Sequence, residues 1–276
     1  MKCLLAAAGV CVLALPSWAA ERVLSIGGSI TEIVFALGEE DRLIGRDTTS
    51  QFPPEVEDLP DVGYMRALSP EGVLSVAPDL VIAEEGAGPP ETIEVLEAAN
   101  IKFVTIPDGY DPAAVQEKIR AVAAALGVRE KGAALERDVT LELAAALDGL
   151  SDVGERRVLF VLSMQGGRIL ASGTNTAADG IIALAGGENA IEAFEGYKPL
   201  TDEAVIAARP DVILMMDRDG DHAADNADLF DHPGLATTPA AANDAVVRID
   251  GLLLLGFGPR TPEAVRRLGA ALKAAG

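Results

Sequence analysis

Cysteine, histidine, aromatic residues and positive charge are all scarce in this chain. Its two cysteines, Cys3 and Cys11, stand near the amino terminus, so everything after them folds without an oxidant and cannot build a thiolate metal site. The two histidines, His222 and His232, flank an acidic, Gly/Asp-rich stretch. Their spacing fits no zinc or iron motif, and both read as solvated. Aromatic residues make up 4% and the only tryptophan is Trp18, which argues against an aromatic-lined basket. Lys and Arg number 22 against 43 Asp and Glu, for a formal charge of −21, and this argues against nucleic acid and anionic membrane surfaces as partners. No apolar run beyond the first residues is long enough to span a bilayer. The sequence contains no Gly-x-Gly-x-x-Gly, Gly-x-Ser-x-Gly or His-Glu-x-x-His. Gly27-Gly28-Ser29 resembles a phosphate-cradling turn, but a nucleotide-handling α/β enzyme would lack the rest of its motif.

What is present begins with a secretory signal. Lys2 gives a positive start, Leu4 to Leu15 is a short apolar run, and Ser17-Trp18-Ala19 supplies small residues at a cut after Ala19, with Ala20 as the second choice. Val10 before Cys11 does not fit a lipoprotein signal. Residues 1–19 are therefore expected to be removed from a soluble, monomeric protein exported to the periplasm. Roughly 255 residues remain, enough to divide into two domains.

The rest of the chain says one thing twice. Leu68-Ser69-Pro70-Glu71 opens a short helix that runs into Pro78-Asp79-Leu80-Val81-Ile82, and Leu200-Thr201-Asp202-Glu203 runs into Pro210-Asp211-Val212-Ile213-Leu214. A Gly-Tyr pair precedes each copy, Gly63-Tyr64 and Gly196-Tyr197. An offset of about 130 residues is too long for a solenoid and matches a domain. Two similar lobes with a cleft between them enclose something, which points to a binder.

Local patterns alternate strand and helix. Val23 to Ile26 reads as a strand, and Ser29 to Glu32 as a capping box before Ile33, Val34 and Leu37. Ser69-Pro70 reads as N-cap plus first helical position. Strands follow at Leu80 to Ala83 and Phe103 to Ile106, then at Val158 to Leu162, Val212 to Met216 and Val246 to Ile249, with helices from about Pro90 to Ala99 and after Thr176, Thr201 and Thr261-Pro262. Such alternation implies doubly wound α/β lobes with mainly parallel sheets. From Asp111 to Leu150 the chain is Ala/Leu/Glu/Arg-rich, interrupted near Gly127, without a Gly/Ser/Pro linker. The expected organisation is an N-terminal lobe over residues 20–127, a single long backbone helix within 128–150 and a C-terminal lobe over 151–276. A helical spacer is stiff and permits little lobe motion.

Four segments carry a resemblance: Asp61-Val62-Gly63-Tyr64-Met65-Arg66-Ala67-Leu68-Ser69-Pro70-Glu71-Gly72, Ser163-Met164-Gln165-Gly166-Gly167-Arg168, Gly196-Tyr197-Lys198-Pro199-Leu200 and Leu255-Gly256-Phe257-Gly258-Pro259-Arg260. Together they resemble the haemin-binding proteins of bacterial haem-uptake ABC transporters, within the helix-linked class III periplasmic binding proteins. That class also serves siderophores and cobalamin, which stand as the alternative cargoes. The resemblance implies haem as the transported ligand, an inner-membrane permease and ATPase complex as partner, and no chemistry on the haem.

On residue chemistry alone, Tyr64 is either a ring packed at a loop base or a donor to a ligand. A phenolate is a hard anion that suits ferric iron, although an ordinary phenol titrates near ~10 and needs a metal or a cation to ionise at neutral pH. The resemblance makes Tyr64 the axial ligand and Arg66 a partner of the phenolate or of a propionate, work that suits a guanidinium. Arg66 lies on the same side as Tyr64 if the backbone there is extended. On the facing lobe the candidates are Arg168, Asn175, Tyr197 and Lys198. Met215, Met216 and Arg218 end a strand near the cleft, although methionines there are more often core. Glu71 and Glu203 suit helix N-termini by charge alone, and the resemblance makes them the residues that dock on the permease.

Overall fold

A computed structural model describes residues 21–150, 153–154, 156–217 and 226–275; the signal segment, His222 and Arg218 lie outside the described residues. The first lobe is built from β1 (Val23–Ile26), α1 (Gly28–Ala36), β2 (Leu43–Arg46), α2 (Pro70–Ser75), β3 (Leu80–Glu84), α3 (Pro90–Ala98) and β4 (Lys102–Ile106). Its four strands are all parallel, in the order β2-β1-β3-β4. β1 and nearly all of β3 are buried along their length, because helices cover both faces of a parallel sheet. That burial explains the unbroken apolar runs.

Two helices then pack on each other, α4 (Pro112–Leu126) and α5 (Arg129–Asp148), separated by Gly127 in the left-handed conformation. All strands of the first sheet precede α5 and all strands of the second follow it. The second lobe comprises β5 (Arg157–Gln165), β6 (Arg168–Ser172), α6 (Ala177–Leu184), β7 (Glu188–Asn189), β8 (Tyr197–Leu200), α7 (Asp202–Ala208), β9 (Val212–Asp217), α8 (Asn226–Asp231), α9 (Pro239–Ala242), β10 (Val246–Asp250), α10 (Gly251–Leu255) and α11 (Thr261–Ala274). Its sheet runs β10-β9-β5-β6-β8, with β7 pairing the start of β5. β10, β9, β5 and β7 are parallel, whereas β6 is antiparallel to both β5 and β8. The antiparallel part hangs on the turn Gly166-Gly167, both at positive φ as a two-residue hairpin requires. The alternating pattern gave no sign of it.

The internal repeat holds in atomic detail. Ser69 Oγ accepts from the Gly72 N–H at 3.0 Å, and Thr201 Oγ1 from the Ala204 N–H at 3.3 Å. Each short helix is followed by a residue at positive φ, Ala77 or Arg209. An arginine closes each one: Arg22 donates to the carbonyls of Val76 and Ala77, and Arg157 to that of Ala208. Asp79 accepts from the Arg22 N–H at 3.3 Å, and Asp211 from the Arg157 N–H at 3.0 Å.

The lobes share one apolar core rather than meeting at a thin hinge. Val23, Ile30, Val115 and Ile119 belong to the same buried cluster as Phe160, Ile181, Leu253 and Phe257. Polar ties cross the same seam. Arg260, at the start of α11, is hydrogen-bonded to Glu32 of α1 and stacks on Phe52, 3.6 Å from its ring centroid. This pairing overturns the capping box expected at Ser29 to Glu32. α1 has no side-chain cap; Glu32 is buried against Arg260, and the Ser29 hydroxyl donates to Glu84 Oε1 at 2.9 Å. His232 also departs from expectation. It is buried, with Nδ1 accepting from the Gly234 N–H at 3.1 Å and Nε2 at 2.9 Å from the Gly167 carbonyl. That set of partners fits a neutral ring protonated on Nε2. A sequence shows the Asp and Gly around a histidine but not the hairpin that folds over it.

Two expectations follow from this seam. Arg260→Met should leave Glu32 buried without its counter-charge and cost about 2 kcal/mol at neutral pH. Burial already raises the Glu32 pKa, so the folded protein binds more protons than the unfolded chain between the two pKa values, and stability falls as pH rises through that window. The deficit of the variant should therefore shrink as pH is lowered from 7 towards 5, read as melting temperature against pH. The shared core and α5 also predict nearly superimposable small-angle scattering curves for the free and loaded protein.

Candidate functional site

The carboxyl ends of β1 and β3 define the crevice of the first sheet, because the chain winds in opposite directions on either side of that point. The turn after β1 is already filled by protein. Gly27 donates to Asp47 Oδ1 at 2.9 Å and Gly28 to Thr49 Oγ1 at 3.1 Å, and Asp47 is fully buried. The carboxylate of Asp47 thus sits where the sequence suggested a phosphate.

Tyr64 is positioned by residues 60–63, which extend the edge of the sheet: Arg46 donates to the Pro60 carbonyl, Val62 to that of Arg46, and Thr48 to that of Gly63. Gly63, at φ 104, then turns the chain, a conformation that excludes most other residues. Tyr64 is left 47% exposed. The second copy repeats the arrangement, with Gly173 donating to the Gly196 carbonyl and Gly196, at φ 78, donating to that of Thr174. Beyond Tyr64 the backbone is not extended. Met65–Ala67 form a 3₁₀ turn in which Met65 is buried as an anchor and Arg66 is exposed. The expected strand-like alternation is therefore replaced by a turn, and the position of Arg66 is set by the burial of Met65.

Across the cleft, the Tyr197 ring meets Phe160 edge-on, with centroids 6.3 Å apart. Thr176 and the Ala178 N–H at the start of α6 act to lower its pKa. Burial raises the Tyr197 pKa despite these groups and the opposing charge of Arg66. Tyr110 enters the same group unannounced by the sequence reading. Its hydroxyl donates to Asp108 Oδ2 at 3.0 Å, and its ring packs edge-on against Phe257 at 5.5 Å. Burial, followed by the charge of Asp108, raises its pKa strongly. Two of the chain's three tyrosines, Tyr110 and Tyr197, are thus raised by burial.

Beneath lies a second feature that the sequence reading missed. Lys118, 1% exposed, sits on the buried face of α4. It donates to Glu84 Oε1 at 2.6 Å, Ser29 Oγ at 3.2 Å, Asp108 Oδ1 at 3.3 Å and the Gly256 carbonyl at 3.2 Å. A lysine on an apolar helical stripe, between Val115, Ile119 and Val122, was the available signal.

The other candidates divide. Asn175, at φ 56, precedes α6 with its N–H on Asp179 Oδ2 at 3.0 Å. The Lys198 ammonium lies 5.2 Å above the Phe194 ring. Arg168 is exposed at the hairpin tip opposite Gln165, whereas Tyr197 pairs with Ser172 at the other end of β6; the two are about 13 Å apart along the strand. Met215 is core. Glu71 and Glu203 are exposed in the first turns of α2 and α7. The Glu203 carboxyl is held low by hydrogen bonds from its own backbone N–H and from Thr201. A recess of about 610 Å³ at the seam is lined by Glu32, Phe35, Phe52, Pro53 and Arg260. Arg260 pairs there with Glu32, while its Nε is buried without a hydrogen-bond partner. Among the described residues no helix is long and apolar enough to cross a membrane and no metal-holding group of His, Cys, Asp and Glu occurs.

With this geometry in place, comparison with known proteins gives consistent relatives. The solved structure of the periplasmic haem-binding protein BhuT in complex with two haems is 44% identical, covers 92% of this chain and 98% of its own, and superimposes with a TM-score of 0.88. YvrC of Bacillus subtilis, an ABC transporter substrate-binding lipoprotein, is 27% identical over 90% of this chain and 78% of its own length. The vitamin B12-binding protein of Salmonella typhi is 25% identical over 78% and 80%. The periplasmic binding protein family model matches residues 23–252. A duplicated lobe, a helical connector and this match agree: the chain belongs to the periplasmic binding protein family, in its helix-linked form.

Proposed function

We propose that the protein captures ferric haem between its lobes, with Tyr64 as the axial ligand, and delivers it to an inner-membrane ABC importer after export through the signal at residues 1–19. The observation that carries this reading is the half-exposed Tyr64, set after Gly63 at the edge of the first sheet and followed by the exposed Arg66. A phenolate gives ferric iron a hard anionic donor. The arginine, permanently charged, favours the ionised oxygen or pairs with a propionate. Tyr197 is a phenol raised by burial and engaged by α6, which makes it a wall of the cleft in the loaded protein, with Asn175 and Lys198 beside it. Arg168, farther along β6, meets the ligand only at its periphery. The likeness to BhuT supports haem, at a higher identity than the likeness to a vitamin B12-binding protein. Glu71 and Glu203, exposed and related by the internal repeat, are the natural contacts for cationic residues on two permease subunits, with residues 20–127 and 151–276 forming the lobes that carry them.

Haemin, a ferric siderophore and cobalamin added separately should give an intense Soret band with haemin alone; retention of cobalamin instead would reverse the cargo assignment. Tyr64→Phe keeps the ring and removes the oxygen, so the phenolate-to-iron charge-transfer band should vanish while folding is preserved. An unchanged spectrum would move the ligand to Tyr197. Arg66→Ala should weaken binding less than tenfold and make the spectrum more acid-sensitive, because protons then compete better for the phenolate.

A further inference from the structure

Tyr64 is half exposed, so packing holds its ring only in part and its direction depends on the backbone that carries it. On the carboxyl side that backbone is anchored. Met65 and Leu68 are buried, and Gly88 donates to the Met65 carbonyl at 2.9 Å and accepts from the Leu68 N–H at 2.8 Å. On the amino side the pairing with Arg46 reaches as far as Val62. Gly63, at φ 104, joins the two. Its carbonyl accepts from the Thr48 N–H at 3.1 Å, and its own N–H donates to a side chain, Asp61 Oδ1, at 2.8 Å.

Asp61 is held at both oxygens. Oδ2 accepts from Arg46 Nη1 at 3.4 Å, and the same nitrogen donates to the Asp47 carbonyl at 3.3 Å. The Asp61 side chain is 37% exposed, and an ion pair of this length and exposure adds little to stability. What the pair fixes is the orientation of the carboxylate. The internal repeat supplies a comparison. Two residues before Gly196 stands Phe194, which carries no acceptor on its side chain. The Gly196 N–H goes instead to the Thr174 carbonyl at 3.0 Å, and Tyr197 continues directly into β8. A carboxylate takes the glycine N–H only in the copy whose tyrosine leaves the sheet for a 3₁₀ turn.

We propose that Asp61 is a positioning residue for iron ligation: its carboxylate, held between the Gly63 N–H and the Arg46 guanidinium, fixes the peptide that precedes Tyr64 and with it the direction of the phenolate. The proposal rests on Tyr64 as the axial ligand, and Asp61 acts through Tyr64 without touching the iron. A glycine at positive φ has other conformations open to it once its N–H is released, and a metal site tolerates only a small error in the place of its donor. Without the Asp61 bond the phenol samples directions that do not meet the iron, and reordering it opposes binding. The charge of Asp61 acts the other way, because a carboxylate near a phenolate disfavours the ionised form. Position and charge therefore predict opposite effects of removing this side chain.

The test titrates haemin into the mature protein and follows affinity, the phenolate-to-iron charge-transfer band and the pH at which acid abolishes that band. Asp61→Ala should weaken haemin binding roughly fivefold, dim the band and raise the acid midpoint. Asp61→Asn keeps an acceptor for the Gly63 N–H, so it should retain native affinity and band, with a midpoint no higher than the native one. Gly63→Ala adds a methyl that meets no atom within 4 Å but resists φ 104, and it should reproduce the Asp61→Ala defect from the other partner of the bond. A lower acid midpoint in Asp61→Ala at native affinity would show that the carboxylate acts by charge alone and overturn the proposal. An Asp61→Asn variant as impaired as Asp61→Ala would overturn it too, since the amide still receives the Gly63 N–H. Tyr64→Phe separates the two readings. If its band survives, the ligand assignment fails and the proposal with it; if the band vanishes while Asp61→Ala binds and titrates as the native protein does, only the positioning role fails.

Discussion

The buried ammonium of Lys118 ties together four separate parts of the molecule. It reaches Ser29 at the start of α1, Glu84 at the end of β3, Asp108 just past β4, and the Gly256 carbonyl after α10 in the other lobe. A buried cation is tolerated only when its hydrogen-bonding capacity is filled and its charge is met. Here two carboxylates meet it, one at the end of β3 and one just past β4. Asp108 also receives the Tyr110 hydroxyl, and the Tyr110 ring lies on Phe257 of the second lobe. Lobe seam and sheet end are thereby tied through one residue on α4.

The second constraint is the repeat. Each lobe closes its short helix with an arginine from the preceding strand region and anchors that strand with an aspartate, Arg22 with Asp79 and Arg157 with Asp211. Two lobes built by the same rules present matching surfaces, the tyrosines inside and the carboxylates outside. They are not identical, because the second carries the β5–β6 hairpin and an antiparallel edge. The asymmetry bears on the tyrosines as well, since Tyr64 stands half exposed while Tyr197 is engaged by α6 and Phe160.

Rigidity follows from the way the lobes meet. A shared apolar core, the Arg260–Glu32 pair and the helix α5 all resist relative motion. Lobes held in this way recognise a ligand by pre-arranged groups rather than by closing around it, which lowers the ordering cost of binding.

The sequence by itself determined the strand and helix alternation, the repeat, the N-caps at Ser69 and Thr201, the connector and the Gly-Tyr pairs, because each is written in local spacing or in residues with restricted backbone preferences. It did not determine the partners of buried polar groups. Glu32 read as a local cap and proved to belong to Arg260, more than two hundred residues away. His232 read as solvated and lies beneath a hairpin. Lys118 and Tyr110 gave almost no local sign of the seam they join. Such pairings depend on which distant segments the packed core brings within hydrogen-bonding reach, and the cost of leaving a charge or polar group unpaired in that core selects among them. Only the tertiary structure carries that information.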